Sequence, residues 1–166
     1  MSTPSMDHHE MEQFIHQLFA AWSSGDPDQV APYFHPDAIL RDSVNGEFRG
    51  WPAIRSLYVA SLDRWGEPVT EATRFWHGAD GSVAFTWTTT GRVLDDRLGP
   101  EHRDTVCEFE GMTYVVVENG LIREEIEFFD RAAPAASIGL TPTVTYSKLE
   151  VASPRLNAPG TPGENA

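Results

Sequence analysis

Two aspartates sit where a carboxyl group could move a proton. Asp42 closes the short apolar run Ala38-Ile-Leu-Arg-Asp42, on the same face as Ala38 and Leu40 if the run is a strand. Asp130 closes the face formed by Ile122, Glu124, Ile126 and Phe128. A carboxyl group at the end of an apolar face is desolvated, its pKa rises, and it becomes fit for general acid/base work. Each aspartate also has a plain structural reading. Asp42 can cap the turn Ser43-Val-Asn-Gly46, and Asp130 can pair with Arg131. His77 alternates with Phe75 and Thr73, and His102 lies just before a strand; either can serve as a donor or proton shuttle. Glu108 and Glu110 share a face with Met112 and Tyr114 and become rival bases only if that face points inward. The tract His8-His9-Glu10 reads as an unstructured N-terminus. No His-Glu-x-x-His or comparable spacing occurs, so no metal is expected.

The elements that must position these residues follow from periodicity. Met11, Phe14, Ile15, Leu18, Phe19 and Trp22 form one helical face, with Asp7 and Glu10 able to make a capping box. Asp26-Pro27 starts a second, short helix, and Gly50-Trp51-Pro52 opens a third carrying Ile54, Leu57, Tyr58 and Trp65. Asn45-Gly46 predicts a hairpin between residues 38–42 and 47–49. From residue 67 the period becomes two, with strands expected at 69–77, 82–93, 105–117 and 121–130 and turns at Asp80-Gly81 and Asn119-Gly120. Helices first and strands afterwards predict an α+β domain with the helices on one face of an antiparallel sheet. Residues 1–131 are expected to hold this domain. Residues 132–166, with five of the twelve prolines, read as a mostly disordered tail, in which 143–151 could add an edge strand or cover a pocket.

Composition removes several function classes. The 166 residues carry 25 Asp+Glu against 12 Lys+Arg, a formal net charge of −13, which disfavours nucleic acid and anionic membrane surfaces. A single cysteine, Cys107, allows no intramolecular disulfide. No apolar run reaches the roughly 18 residues of a membrane span, and the N-terminus lacks the features of a signal peptide, so a cytoplasmic location is expected. The charge is not spread evenly. Residues 132–166 are neutral overall, whereas from Cys107 to Asp130 seven acids face one base, Arg123.

Two segments, Phe34-His-Pro-Asp-Ala-Ile-Leu-Arg-Asp42 with Gly50-Trp-Pro-Ala-Ile-Arg-Ser-Leu-Tyr58, and Phe109 through Asp130, resemble the SnoaL-like and ketosteroid-isomerase-like branch of the nuclear transport factor 2-like superfamily. The resemblance covers residues 11–131. It implies a cone-shaped, curved antiparallel sheet wrapped by three N-terminal helices around a deep apolar pocket, and a homodimer. It places Asp42 as base, Asp130 as acid/base through the similarity of Phe128-Phe-Asp130 to the Tyr/Phe-Phe-Asp ending of SnoaL-like cyclases, and His102 or His77 as orienting donor. Leu18, Tyr58, Trp87, Met112, Tyr114 and Phe128 are the residues expected to bind substrate. The donors of a steroid isomerase are absent, since Leu18 and Met112 occupy their positions.

The implied activity is cofactor-independent proton transfer (isomerisation, aldol-type cyclisation or dehydration) on a small apolar, carbonyl-containing molecule. Two alternatives stand beside it. One is a non-catalytic module for a hydrophobic ligand or for dimerisation. The other is an epoxide hydrolase, which needs an arginine and an aspartate two residues apart; here Arg92 is followed at that spacing by Leu94, with Asp95 one residue further.

Overall fold

The apolar periodicity of the N-terminal segment produces α1 (His8–Ser23), described with residues 6–141 in a computed structural model of the chain. Asp7 caps it. Its Oδ1 accepts from the Glu10 amide at 2.9 Å while Glu10 Oε2 accepts from the Asp7 amide at 2.9 Å, so the capping box satisfies two helix-end donors. Met11, Phe14, Ile15, Leu18 and Ala21 are buried on one face. Next come α2 (Pro27–Val30), capped by Asp26, the hairpin β1 (Phe34–Asp42) and β2 (Gly46–Arg49), and α3 (Trp51–Leu62). Gly50 enters α3 at φ 74°, a conformation that favours glycine, and its amide donates to the Ala38 carbonyl at 2.8 Å. The Tyr58 side chain of α3 is fully buried, and its hydroxyl donates to the Trp22 carbonyl at 2.6 Å, tying α3 to the end of α1.

The four later strands are β3 (Trp65–His77), β4 (Ser82–Val93), β5 (Val106–Glu118) and β6 (Leu121–Phe129). They form a meander that continues into the first hairpin, giving one curved, unclosed sheet in the order β2-β1-β6-β5-β4-β3. The fold is α+β, as expected. One pairing departs from an all-antiparallel sheet: β1 runs parallel to β6. A parallel neighbour needs a long connection. Here α3 and four strands intervene, and they return β6 beside β1 in the same direction.

Which side chains face the concave side is set by an irregularity in β6. Val117 pairs with Ile122 but Val116 pairs with Glu124, so Arg123 is an extra residue and the strand carries a bulge. Parity changes there. Ile122 faces the core before the bulge; Glu125, Glu127 and Phe129 face inward after it. The face expected from strict alternation, Ile122, Glu124, Ile126, Phe128 and Asp130, is therefore split. β1 is irregular at the same level, between Phe34 and Ile39. The two irregularities meet where Arg123 Nη1 donates to His35 Nδ1 at 2.7 Å, and that ring nitrogen also accepts from the Asp37 amide at 3.1 Å.

Among the described residues, a helix follows the expected boundary at Arg131. The short helix α4 (Ala133–Ser137) packs on β5, where Ser137 Oγ accepts from the Glu108 amide at 3.0 Å. Pro134 and Ala135 are buried because they cover apolar surface at the end of the sheet. The expected role of residues 143–151 lies outside the described residues.

Deleting Arg123 removes the bulge but leaves Ile122, Glu125 and Glu127 in step with Val117, Val115 and Thr113, so all three stay on the concave face. The deletion variant should therefore keep a cooperative urea transition and lose about 1 kcal/mol, as Arg123→Ala does through its lost hydrogen bond to His35. Loss of the cooperative transition in the deletion variant alone would contradict this account of the strand.

Candidate functional site

Between the helices and the concave side of the sheet lies a pocket of about 480 Å³. Its walls are apolar and come from several elements: Leu18 and Trp22 of α1, Leu57 of α3, Trp87 of β4, Phe109 of β5 and Phe129 of β6. Trp87, Phe109 and Phe129 form an aromatic triangle with centroid separations of 5.9, 6.3 and 6.0 Å. Trp87 Nε1 donates to Thr113 Oγ1 at 2.9 Å, which satisfies the one polar atom of a buried indole. Gly111 makes room for this arrangement. A Cβ there would run into the Trp87 ring and lie 2.6 Å from the Phe128 carbonyl oxygen.

Three carboxyl groups enter this apolar pocket side by side. Asp42 on β1 pairs in register with Glu127 on β6, and Leu40 pairs with Glu125, so Asp42, Glu127 and Glu125 are neighbours on the concave face. Asp42 is buried at 6% exposure and fully engaged by its own turn. Oδ1 accepts from the amides of Val44 at 2.7 Å and Asn45 at 2.9 Å, and Oδ2 accepts from Asn45 Nδ2 at 2.8 Å. The turn-capping reading thus holds together with a place in the pocket wall. Glu125 is 8% exposed, and its Oε2 is buried with no hydrogen-bond partner among the described residues. Burial first, and then the negative charge of Asp42, push the Glu125 carboxyl up to about 7. Glu127 is half-buried, with its accessible part on the pocket; burial, then Glu125, then Asp42 hold it well above the ordinary carboxylate range.

At the other end, where β4 and β6 finish and β3 begins, the lining becomes charged: Arg64, Asp95, Arg97 and Arg131. Asp95 accepts from the Arg97 amide at 3.1 Å and from Arg97 Nε at 2.7 Å. The Arg97 guanidinium holds its carboxyl below the ordinary range.

Of the residues singled out from sequence, Asp42, Leu18, Trp87 and Asp95 line the pocket. The others lie elsewhere. Asp130 is exposed beyond the end of β6, where its Oδ1 accepts from the Ala132 amide at 2.8 Å; the bulge has passed its expected place to Glu125 and Glu127. Phe128, 58% exposed, and Met112, 39% exposed, lie on the convex face, and Tyr114 shares it. The concave positions of β5 are Gly111, Thr113 and Val115. Tyr58 is packed between α3 and α1 and does not reach the pocket lining. His77 stacks on His8 at 4.1 Å and meets Glu12 Oε1 at 3.0 Å, so it fastens β3 to α1. His102 sits in a 3₁₀ turn, 3.6 Å from Glu101 Oε1, outside the lining. Glu108 and Glu110 are exposed. Arg92 donates to Glu67 Oε2 at 2.7 Å and to the Asp104 carbonyl at 3.2 Å on the exposed face, so it does not sit between two pocket carboxylates. Glu125 and Glu127 escaped notice as individual site residues, although the concentration of acids between Cys107 and Asp130 marked their strand. Among the described residues, no group of three or more His, Cys, Asp or Glu side chains has the geometry to hold a metal, and no helix is long and apolar enough to cross a membrane.

The SnoaL-like domain matches residues 15–125, and the chain belongs to that family. Among solved structures, it is similar to IdmH of Streptomyces antibioticus, a candidate polyketide cyclase. The identity is 18%, with 80% of this chain and 100% of that one covered, at a TM-score of 0.69. AclR of Streptomyces galilaeus, a candidate hydroxylase, is 15% identical over 82% and 100% of the two chains, at a TM-score of 0.68. A candidate SnoaL-like polyketide cyclase of Shewanella denitrificans is 13% identical over 77% and 96%, at a TM-score of 0.66. Identities this low establish a common fold. Among curated proteins, none matches this sequence.

The raised Glu125 pKa fixes a sign for stability. Below about pH 4.5 the group is protonated in both the folded and unfolded chain, and its burial carries no charge. As pH rises towards 7, the unfolded chain releases its proton first, so the folded state loses stability, in total about 3 kcal/mol once both have titrated. Glu125→Gln removes this dependence. Its urea-unfolding free energy should exceed the native chain's at pH 8, and the difference should shrink towards pH 5. A difference independent of pH would mean that Glu125 is not desolvated.

Proposed function

We propose that the pocket catalyses proton transfer at a carbon next to a carbonyl group, in a small apolar substrate and without a cofactor. The observation that carries this reading is Glu125 Oε2, a buried carboxyl oxygen without a partner among the described residues, on a group poised near neutrality at the wall of an apolar cavity. A general base works best when its pKa lies near the operating pH. Glu125 therefore takes the proton from carbon. Glu127, held protonated, donates a hydrogen bond to the carbonyl oxygen as it becomes an enolate, the task that a neutral acid can perform where an isomerase would use tyrosine. Asp42 supplies the fixed negative charge that raises both neighbours, and its turn amides keep it in place. From the enolate, return of the proton at another carbon gives isomerisation. Attack on a second carbonyl gives aldol cyclisation, with the new alkoxide taking the proton from Glu127. Membership of the SnoaL-like family and a fold common to candidate cyclases are in keeping with this chemistry.

The direct test is hydrogen–deuterium exchange at the α-carbon of a bicyclic aromatic ketone such as 1-tetralone, followed by NMR in D₂O. The native chain should accelerate exchange, with the rate rising as pH approaches 7. Glu125→Gln should lower it by about 100-fold or more. Full activity in Glu125→Gln would remove the proposed base. Binding of the ketone with no acceleration would favour a carrier of hydrophobic ligands instead.

The convex face supports a second proposal, self-association. Trp76, Met112 and Phe128 are large, apolar and 39–58% exposed, and the register places them on adjoining rows with Ala84, Thr86, Tyr114 and Ile126. Sedimentation equilibrium should give about twice the 18.5 kDa chain mass, and Phe128→Glu should return the monomer. A monomeric native chain at high concentration would rule this out.

A further inference from the structure

The charged end of the pocket carries information that the acid/base reading leaves unused. Among the described residues, Arg41, Arg49, Arg92, Arg97 and Arg103 each meet a carboxylate, and Arg123 meets His35. Arg64 and Arg131 make no ion pair within the described residues, yet both line the pocket. They come from different connections, Arg64 from between α3 and β3 and Arg131 from between β6 and α4, so chain proximity does not bring them together. Asp95 is held by Arg97 and also feels the charge of Arg64, so this end of the pocket sets three arginines, Arg64, Arg97 and Arg131, against one aspartate in a chain whose formal net charge is −13. The wall formed by β1 and β6 carries three carboxyl groups. The pocket is thus electrically uneven, basic beyond the ends of β4 and β6 and acidic at the concave wall of β1 and β6.

We propose that the substrate bears a carboxylate, bound at the basic end of the pocket by the guanidinium groups of Arg64 and Arg131, and that this contact sets which end of the molecule reaches Glu125 and Glu127. The inference rests on the acid/base reading for the role of the carboxyl wall, and it adds the substrate class. Guanidinium groups match a carboxylate through paired, charge-assisted hydrogen bonds. They also offset locally the repulsion that a strongly acidic protein exerts on an anion. A substrate entering backwards would set its carboxylate against Asp42, Glu125 and Glu127, which disfavours that orientation. The apolar walls between the two ends, Trp22, Leu57 and Trp87 among them, suit a hydrocarbon or aromatic body.

The test is isothermal titration of the full chain with 2-naphthoate and with 2-naphthamide, which have the same shape and differ in charge, at pH 7.5 and low ionic strength. The native chain should bind the acid at least about tenfold more tightly than the amide. In Arg64→Met with Arg131→Met, that ratio should fall to about one while the affinity for the amide stays the same, which also shows that the variant is folded. Equal binding of acid and amide by the native chain, or an acid preference that survives in the double variant, would overturn the assignment of the arginines and leave the carboxyl wall untouched. Binding of neither probe would overturn the pocket as a site for apolar carbonyl compounds, and the arginine assignment with it.

Discussion

The chemistry of the pocket depends on the phase of one strand. β6 runs through the middle of the sheet, between β1 and β5, and contributes more polar chemistry to the concave face than any other strand. The extra residue at Arg123 decides which half of the alternating sequence Glu124-Glu-Ile-Glu-Phe-Phe129 turns inward. Bulged out, that residue leaves two glutamates and a phenylalanine facing the cavity; paired in regular alternation, it would turn Glu124, Ile126 and Phe128 inward instead. Arg123 also secures the bulge through His35, which lies in the matching irregularity of β1. Parallel pairing of β1 with β6 then brings Asp42 level with Glu127.

Burying three carboxyl groups among aromatic rings is unfavourable unless each group is hydrogen-bonded, paired or uncharged. Two of the three meet this condition, each in its own way. Asp42 is hydrogen-bonded by its own turn. Glu127 is held protonated. Glu125 satisfies neither condition fully, and its Oε2 has no partner among the described residues. The remainder of the domain supplies the stability that tolerates this arrangement: the capped and buried face of α1, the Tyr58 link between helices, and the Trp87 indole fitted over Gly111. A destabilised group in a stable frame is a common property of functional sites.

Much of this architecture was legible in the residues. The helical spacing from Met11 to Trp22 is unbroken, and α1 follows it. Asn45-Gly46, Asp80-Gly81 and Asn119-Gly120 all turn where such pairs turn. The inward face of Asp42 was readable because Ala38, Leu40 and Asp42 keep step after the β1 irregularity. Two faces were not readable. In β6, a bulge leaves no composition signal, so alternation carried Asp130 inward and Glu125 outward. In β5, the large residues Met112 and Tyr114 suggested a pocket wall, whereas the concave side there holds Gly111 and Thr113 because the Trp87 ring occupies the space a larger side chain would need. The extension past Arg131 was hidden by the proline- and alanine-rich composition of α4, which resembles the segment that follows it.

The aromatic lining has a practical side as well. Three of the five tryptophans, Trp22, Trp65 and Trp87, border the same cavity as Glu125 and Glu127. Indole emission responds to nearby polarity, charge and collisional partners, so the cavity contains its own optical probe. Occupancy and the ionisation of its acids would both register as changes in native fluorescence, without a label and before any substrate is known.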